Sequence, residues 1–137
     1  MIALDTYIVV RFLVNDDKSQ AQVAYSLLAS QPVSISIAVL METEWVLRKT
    51  YGFSKTQILG AISKLLGLEK LTVTEPLLAQ RVLVLFAAGL GFSDAIHLAQ
   101  AQTAKGFATF DRDLVKRAKN LDYPIPVFVP KMHAEGQ

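Results

Sequence analysis

Short apolar runs alternate with longer stretches of helical period along this chain, and that alternation limits its fold more than any other feature. Ile2-Ala3-Leu4, the strictly alternating Val33-Ser34-Ile35-Ser36-Ile37 after Pro32, Leu71-Thr72-Val73, Phe107-Ala108-Thr109-Phe110 and Pro126-Val127-Phe128-Val129 read as strands. Helices are expected over Thr6 to Val14 and over Gln20 to Ala29, the second capped by Asp17 with Gln20 in the capping-box position. Ala38 to Tyr51 reads as a helix stopped by Gly52, and Ser54 starts another, with Ile58, Leu59, Ile62, Leu65 and Leu66 at helical spacing. Pro76 suits the first turn of a helix running to Ala88. Ser93 is the expected cap of a helix from Asp94 to about Ala104, and Asp111 to Lys119 the last helix. Strands that alternate with helices need parallel crossovers, which cover a sheet on both faces. The expected class is α/β: one three-layer domain over residues 1–130, a mainly parallel central sheet of about four to five strands flanked by helices, and a frayed C-terminal tail over 131–137.

Composition narrows the function classes. A chain of 137 residues fits one domain. Its 52% hydrophobic content excludes a disordered chain, and calls for a sheet buried on both faces or an apolar surface covered by a partner. With no cysteine there is no disulfide framework, zinc ribbon or cysteine nucleophile. The net charge of +2 does not announce a nucleic-acid binder by itself. The most apolar uncharged run, Val82 to Ser93, is short of the roughly 20 residues a membrane span needs, and Met1-Ile2-Ala3-Leu4-Asp5 lacks a basic leader region. A cytoplasmic protein that makes no use of a membrane is the expectation.

In α/β sheets, ligands bind beyond the carboxyl ends of the strands. Two strands here end directly in an acid, at Asp5 and Asp111; Asp94 opens a helix, and Glu42 lies in the helix after the second strand. Each has a plain structural reading. Asp5 and Asp111 can be N-caps, and Asp94 can serve the helix dipole. Jointly, four such acids can converge on one sheet edge. Glu44 has Arg48 four residues on, a surface pair, whereas Glu42 shares a face with Ala38, Val39, Trp45 and Val46 and is read as the inward acid. Clustered carboxylates repel unless a cation neutralises them. Mg²⁺ or Mn²⁺ would do so with oxygen ligands, and would activate a water toward a phosphodiester.

These residues resemble a known family. Asp5-Thr6 after a first strand, Val39-Leu40-Met41-Glu42, Phe92-Ser93-Asp94-Ala95-Ile96-His97-Leu98-Ala99 and Thr109-Phe110-Asp111 resemble the PIN domain, in order and spacing most like the VapC toxins of prokaryotic VapBC toxin–antitoxin pairs. The resemblance covers nearly the whole chain. It implies an Mg²⁺- or Mn²⁺-dependent endoribonuclease, inhibited by a cognate VapB-like antitoxin and forming a homodimer. Asp5, Glu42, Asp94 and Asp111 match the family's acidic quartet, Asp113 matches a less constant extra acid, and Thr6 and Thr109 match site-ordering positions. Tyr7 stands where many members carry asparagine. A second reading, favoured by Tyr7, is a catalytically silent binding module of the same fold that acts through RNA or a partner protein.

Other signals are weaker. His97, three residues after Asp94, reads as a packed helix histidine rather than a ligand, and His133 falls in the tail. Asp111-Arg112-Asp113-Leu114-Val115 also resembles the start of haloacid-dehalogenase phosphatases, but the 24 residues after Asp113 are too few for that family's later elements. A receiver domain would need an acid pair where Asp5 is followed by Thr6-Tyr7. Arg112, beside Asp111, and Arg11 are candidate RNA or antitoxin contacts. Val82 to Leu90, with the early helices, reads as either a partner surface or a core helix.

Overall fold

Three parallel strands, β1 (Ile2–Ala3), β2 (Val33–Ile35) and β3 (Leu71–Val73), make one sheet in the order β1-β2-β3. Ile2 pairs with Val33, and Val33 in turn with Leu71. The computed structural model describes residues 1–131, so the expected tail, with His133, falls almost wholly outside the described residues. These residues form two compact units, Met1–Gln80 and a second from Arg81 onward.

The first unit carries α1 (Thr6–Leu13), α2 (Lys18–Ser30), α3 (Ile37–Lys49) and α4 (Lys55–Leu66), and the helix α5 (Pro76–Ala87) begins in it. Side-chain caps start these helices where short polar residues leave the strands and turns. Asp17 Oδ1 accepts from Gln20 N at 3.0 Å, and Ser36 Oγ from Val39 N at 3.2 Å. Ser54 and Gln57 form a full capping box. Asp17 and Gln20 do not, because the Gln20 side chain accepts from Arg11 instead. The core is aliphatic: Val9 and Val10 of α1, Val33 and Ile35 of β2, and Ile58, Ile62 and Leu65 of α4 are all buried. Each such side chain contributes about 1.5–3 kcal/mol relative to exposure. Gly52 closes α3 with φ +68, a left-handed conformation that a Cβ disfavours.

The second unit contains α6 (Phe92–Gln100), β4 (Phe107–Ala108), α7 (Arg112–Asn120) and β5 (Val127–Phe128), with β4 and β5 paired in parallel as a separate two-stranded sheet. The expected single sheet is therefore realised as two parallel pieces. The cap at Ser93 is a correction: α6 starts at Phe92, its N-cap is Gly91, and no side chain caps it. Phe92 is buried and its ring packs edge-on to Phe86 at 5.1 Å, which fixes the helix start two residues earlier. The helix also ends at Gln100 rather than Ala104. Around Val82–Leu90, Val82 and Phe86 are buried whereas Val84 is 67% exposed. Among the described residues, no helix is long and apolar enough to cross a membrane.

Candidate active site

Leu4 N donates to Ser34 O at 2.8 Å, so pairing with the second strand persists one residue past β1 and Asp5 is the first residue to leave the sheet. Its backbone stays extended while α1 begins, and Oδ1 accepts from Thr6 N at 2.8 Å. Asp5 is thus an N-cap, with one carboxylate oxygen on the helix and the other turned to no donor among the described residues. Thr6 itself is buried, and its hydroxyl donates to Glu42 Oε1 on α3. The residue that Asp5 caps therefore holds Glu42, and an acid at the exit of β1 and an acid of α3 meet through Thr6.

The reason given for choosing Glu42 needs correction. Glu42 is exposed, with Ala38, Met41 and Trp45 on the same outward face; the buried face of α3 carries Ile37, Leu40, Thr43, Glu44, Val46 and Leu47. Glu44 is the inward acid, 3% exposed, and Arg48 closes over it with Nε 2.9 Å from Oε2. The pair was read correctly but is not a surface one. Apolar neighbours misled the periodicity, because Ala38 and Trp45 face solvent. Glu42 keeps its place as a site candidate on other grounds: it is accessible and it is held by Thr6.

Arg11 is more constrained than a substrate-gripping arginine. Its Nε donates to Gln20 Oε1 at 2.7 Å and its Nη1 to Tyr51 Oη at 3.0 Å, with Asp16 Oδ1 at 3.5 Å; Tyr51 Oη in turn donates to Asp16 Oδ2 at 2.8 Å. Donation to Asp16 pushes the Tyr51 phenol above its usual range. The Arg11 guanidinium lies 5.5 Å from the Tyr7 ring centroid. Tyr7 and Arg11 line a cleft of about 530 Å³ with Asp5, Ile8, Ser19, Gln20 and Val23. In the sequence Asp17 reads as a helix cap and Tyr51 as a helix end; a network closed by side chains so far apart in sequence leaves no local signal.

In the second unit, Thr109 N donates to Phe128 O at 2.9 Å, extending the pairing past β4 before the chain turns at Asp111. Thr109 Oγ1 accepts from Asp111 N at 3.0 Å, and Asp111 Oδ1 accepts from Leu114 N at 3.0 Å. Asp111, like Asp5, is a strand-exit N-cap with one oxygen committed. Asp94 lies in the first turn of α6, half-buried. Asp113 pairs with Arg117 at 3.1 Å on the exposed face of α7, and Arg112 is exposed beside Asp111. His97 is exposed, with its ring 6.4 Å from that of Phe107.

Among the described residues, no group of three or more His, Asp or Glu side chains could by itself hold a metal ion. The structure joins Asp5 to Glu42 through Thr6 and fixes Asp111 through Thr109. Each of these acids is a carboxylate, the ligand type a hard divalent cation takes, and Asp5 and Asp111 each keep one oxygen outside their caps. A family model described as the PIN domain matches residues 2–120 of the chain. No curated protein matches it.

Proposed function

The chain belongs to the PIN domain family, and on that premise we propose that it is the toxin of a type II toxin–antitoxin system: a VapC-like, cytoplasmic endoribonuclease of one domain over residues 1–130, dependent on Mg²⁺ or Mn²⁺. PIN domains are generally nucleases, which sets the reaction class. The observation that most supports the reading is the Asp5–Thr6–Glu42 arrangement, in which buried Thr6 donates its hydroxyl to one accessible acid and its backbone N–H to another.

In this reading Asp5, Glu42, Asp94 and Asp111 hold the cation, with Asp113 as an additional acid. When bound, the cation supplies a water of lowered pKa and neutralises charge on the phosphodiester. The chain's own residues set the geometry. Thr6 fixes the Glu42 rotamer, and the two N-caps hold Asp5 and Asp111 with one oxygen each. Thr109 fixes the backbone at Asp111. Arg112, exposed next to Asp111, is the cation placed to meet a phosphate or an inhibitor's acidic group. A VapB-like antitoxin and a second copy of the chain are the proposed partners.

The test is RNA cleavage by antitoxin-free protein in Mg²⁺, Mn²⁺ or EDTA, beside Asp94→Asn. Metal-dependent cleavage that the substitution abolishes is expected. No cleavage, together with a metal-induced rise in melting temperature, would instead favour a silent binding module.

A further inference from the structure

Tyr7 is 51% exposed although it lies on the first turn of α1, two residues from Asp5 and on the wall of the same cleft. An aromatic ring left in water beside a carboxylate has no packing reason to be there. What it does have is a backing. The Arg11 guanidinium sits over the ring, and Arg11 is itself fixed by Gln20, Asp16 and Tyr51. Those partners take the Nε and Nη1 donors and Asp16 offsets the charge, so Arg11 is less free to grip a phosphate as well. Its remaining effect is on Tyr7: a cation over a ring holds that ring in one orientation.

A ring held from one side and open to a cleft beside a phosphodiester-cutting acid suits one kind of ligand. Unpaired nucleobases stack on tyrosine and on guanidinium planes, and such stacking tolerates any base because every base has a π-face. The other cleft walls, Ile8 and Val23, are apolar, while Ser19 and Gln20 offer hydrogen-bonding groups at its edge. Resting on the ribonuclease reading above, we infer that Tyr7, backed by Arg11, is a stacking subsite for a nucleobase of single-stranded RNA next to the cleaved phosphate. Arg11 is then a positioning residue for the ring rather than a phosphate contact.

The test separates binding from cutting. A short single-stranded RNA carrying 2-aminopurine at successive positions is titrated with Asp94→Asn protein in Mg²⁺, and with the same protein carrying Tyr7→Leu, Tyr7→Trp or Arg11→Met. Stacking quenches 2-aminopurine at one position. Tyr7→Leu should remove that quench and weaken binding about tenfold, Tyr7→Trp should restore both, and Arg11→Met should give a partial loss. On the Asp94 background, Tyr7→Leu should raise KM about tenfold with kcat nearly unchanged, since a stack made equally in ground and transition states is uniform binding. Each variant is first checked by its melting temperature; Tyr7 is exposed, so Leu is tolerated. Unchanged quench and affinity in Tyr7→Leu would overturn the subsite while leaving the ribonuclease reading intact. So would an affinity that only Arg11→Met weakens. RNA that binds and stacks but is never cut would overturn the ribonuclease reading and keep the subsite. Absence of RNA binding in every protein would overturn both.

Discussion

Asp5 serves two roles that substitution can pull apart. Its Oδ1 caps α1 through Thr6 N, and its charge is proposed to hold a cation. Asp5→Asn keeps a side-chain oxygen at the cap, where asparagine performs about as well as aspartate. It removes a negative charge from the positive end of the helix dipole, a loss of about 0.3–1 kcal/mol, and relieves repulsion with nearby Glu42, a gain of a few tenths at an exposed site. The two nearly cancel, so metal-free Asp5→Asn should melt within about 2 °C of wild type. Asp5→Ala loses the cap as well, at about 1 kcal/mol, which lowers the melting temperature by about 4 °C for a chain of this size. Both should lose most RNA cleavage. Both should also lose the rise in melting temperature on adding Mg²⁺. The assay is thermal unfolding of the three proteins in EDTA and in Mg²⁺, beside a cleavage time course. If Asp5→Asn melts as low as Asp5→Ala, the cap is not what Asp5 contributes to stability. If Asp5→Asn keeps wild-type cleavage, Asp5 does not hold the cation.

Three further substitutions test other parts of the reading. Glu42→Gln should abolish most cleavage with little change in stability, whereas Glu44→Gln, which leaves buried polar atoms beside Arg48, should cost about 1–3 kcal/mol in urea unfolding while folded molecules cut at the wild-type rate. Thr109→Val removes the acceptor of Asp111 N, and is expected to lower cleavage about tenfold with a stability loss of about 1 kcal/mol, read by cleavage rate and melting temperature together. Tyr51→Phe tests the Arg11 network through pH. The Tyr51 phenol is raised chiefly by donation to Asp16, so its stabilisation is fully present below its unfolded pKa of about 10 and is lost as pH rises through the higher folded value. Wild type should exceed Tyr51→Phe by about 1 kcal/mol at pH 8 in urea unfolding, and the gap should close at strongly alkaline pH. A gap that does not change with pH would count against the Asp16 bond.

Most of the architecture was legible because burial and capping leave local marks. The alternation at Val33–Ile35, the helix start at Ser54, and the stop at Gly52 each name an element by chemistry within a few residues. Where the reading failed, the deciding force was not local. Helix α6 starts at Phe92 because that ring is buried against Phe86, and no polar signal at Ser93 competes with burying an aromatic ring. Glu42 and Glu44 exchanged sides because Ala38, Met41 and Trp45 are apolar yet exposed, which a hydrophobic period cannot distinguish from a core stripe. Asp5 and Asp111 stand out in the sequence as candidates by their place after strands. The Arg11, Asp16, Gln20 and Tyr51 network could not, since α3 must pack on α1 before those groups meet.

At Asp5 and Asp111 an N-cap and the proposed metal-holding role are compatible in one arrangement. A carboxylate has two oxygens. An N-cap uses one of them, and in doing so fixes χ1 and the direction of the other. A metal-holding acid needs that fixed direction, because a freely turning side chain loses entropy each time a cation binds. The cap therefore supplies the order, and the strand end supplies the location. Glu42 lies in the interior of a helix and has no orphan N–H groups to cap, so it needs a separate device. Thr6 provides it, from the helix that Asp5 caps. On this argument Thr6→Ser, which keeps the hydroxyl, should retain more cleavage than the better-packed Thr6→Val, although Ser leaves the larger void. Parallel cleavage and unfolding measurements on the two variants would check it, and equal activity, or the reverse order, would show that Thr6 acts through packing alone.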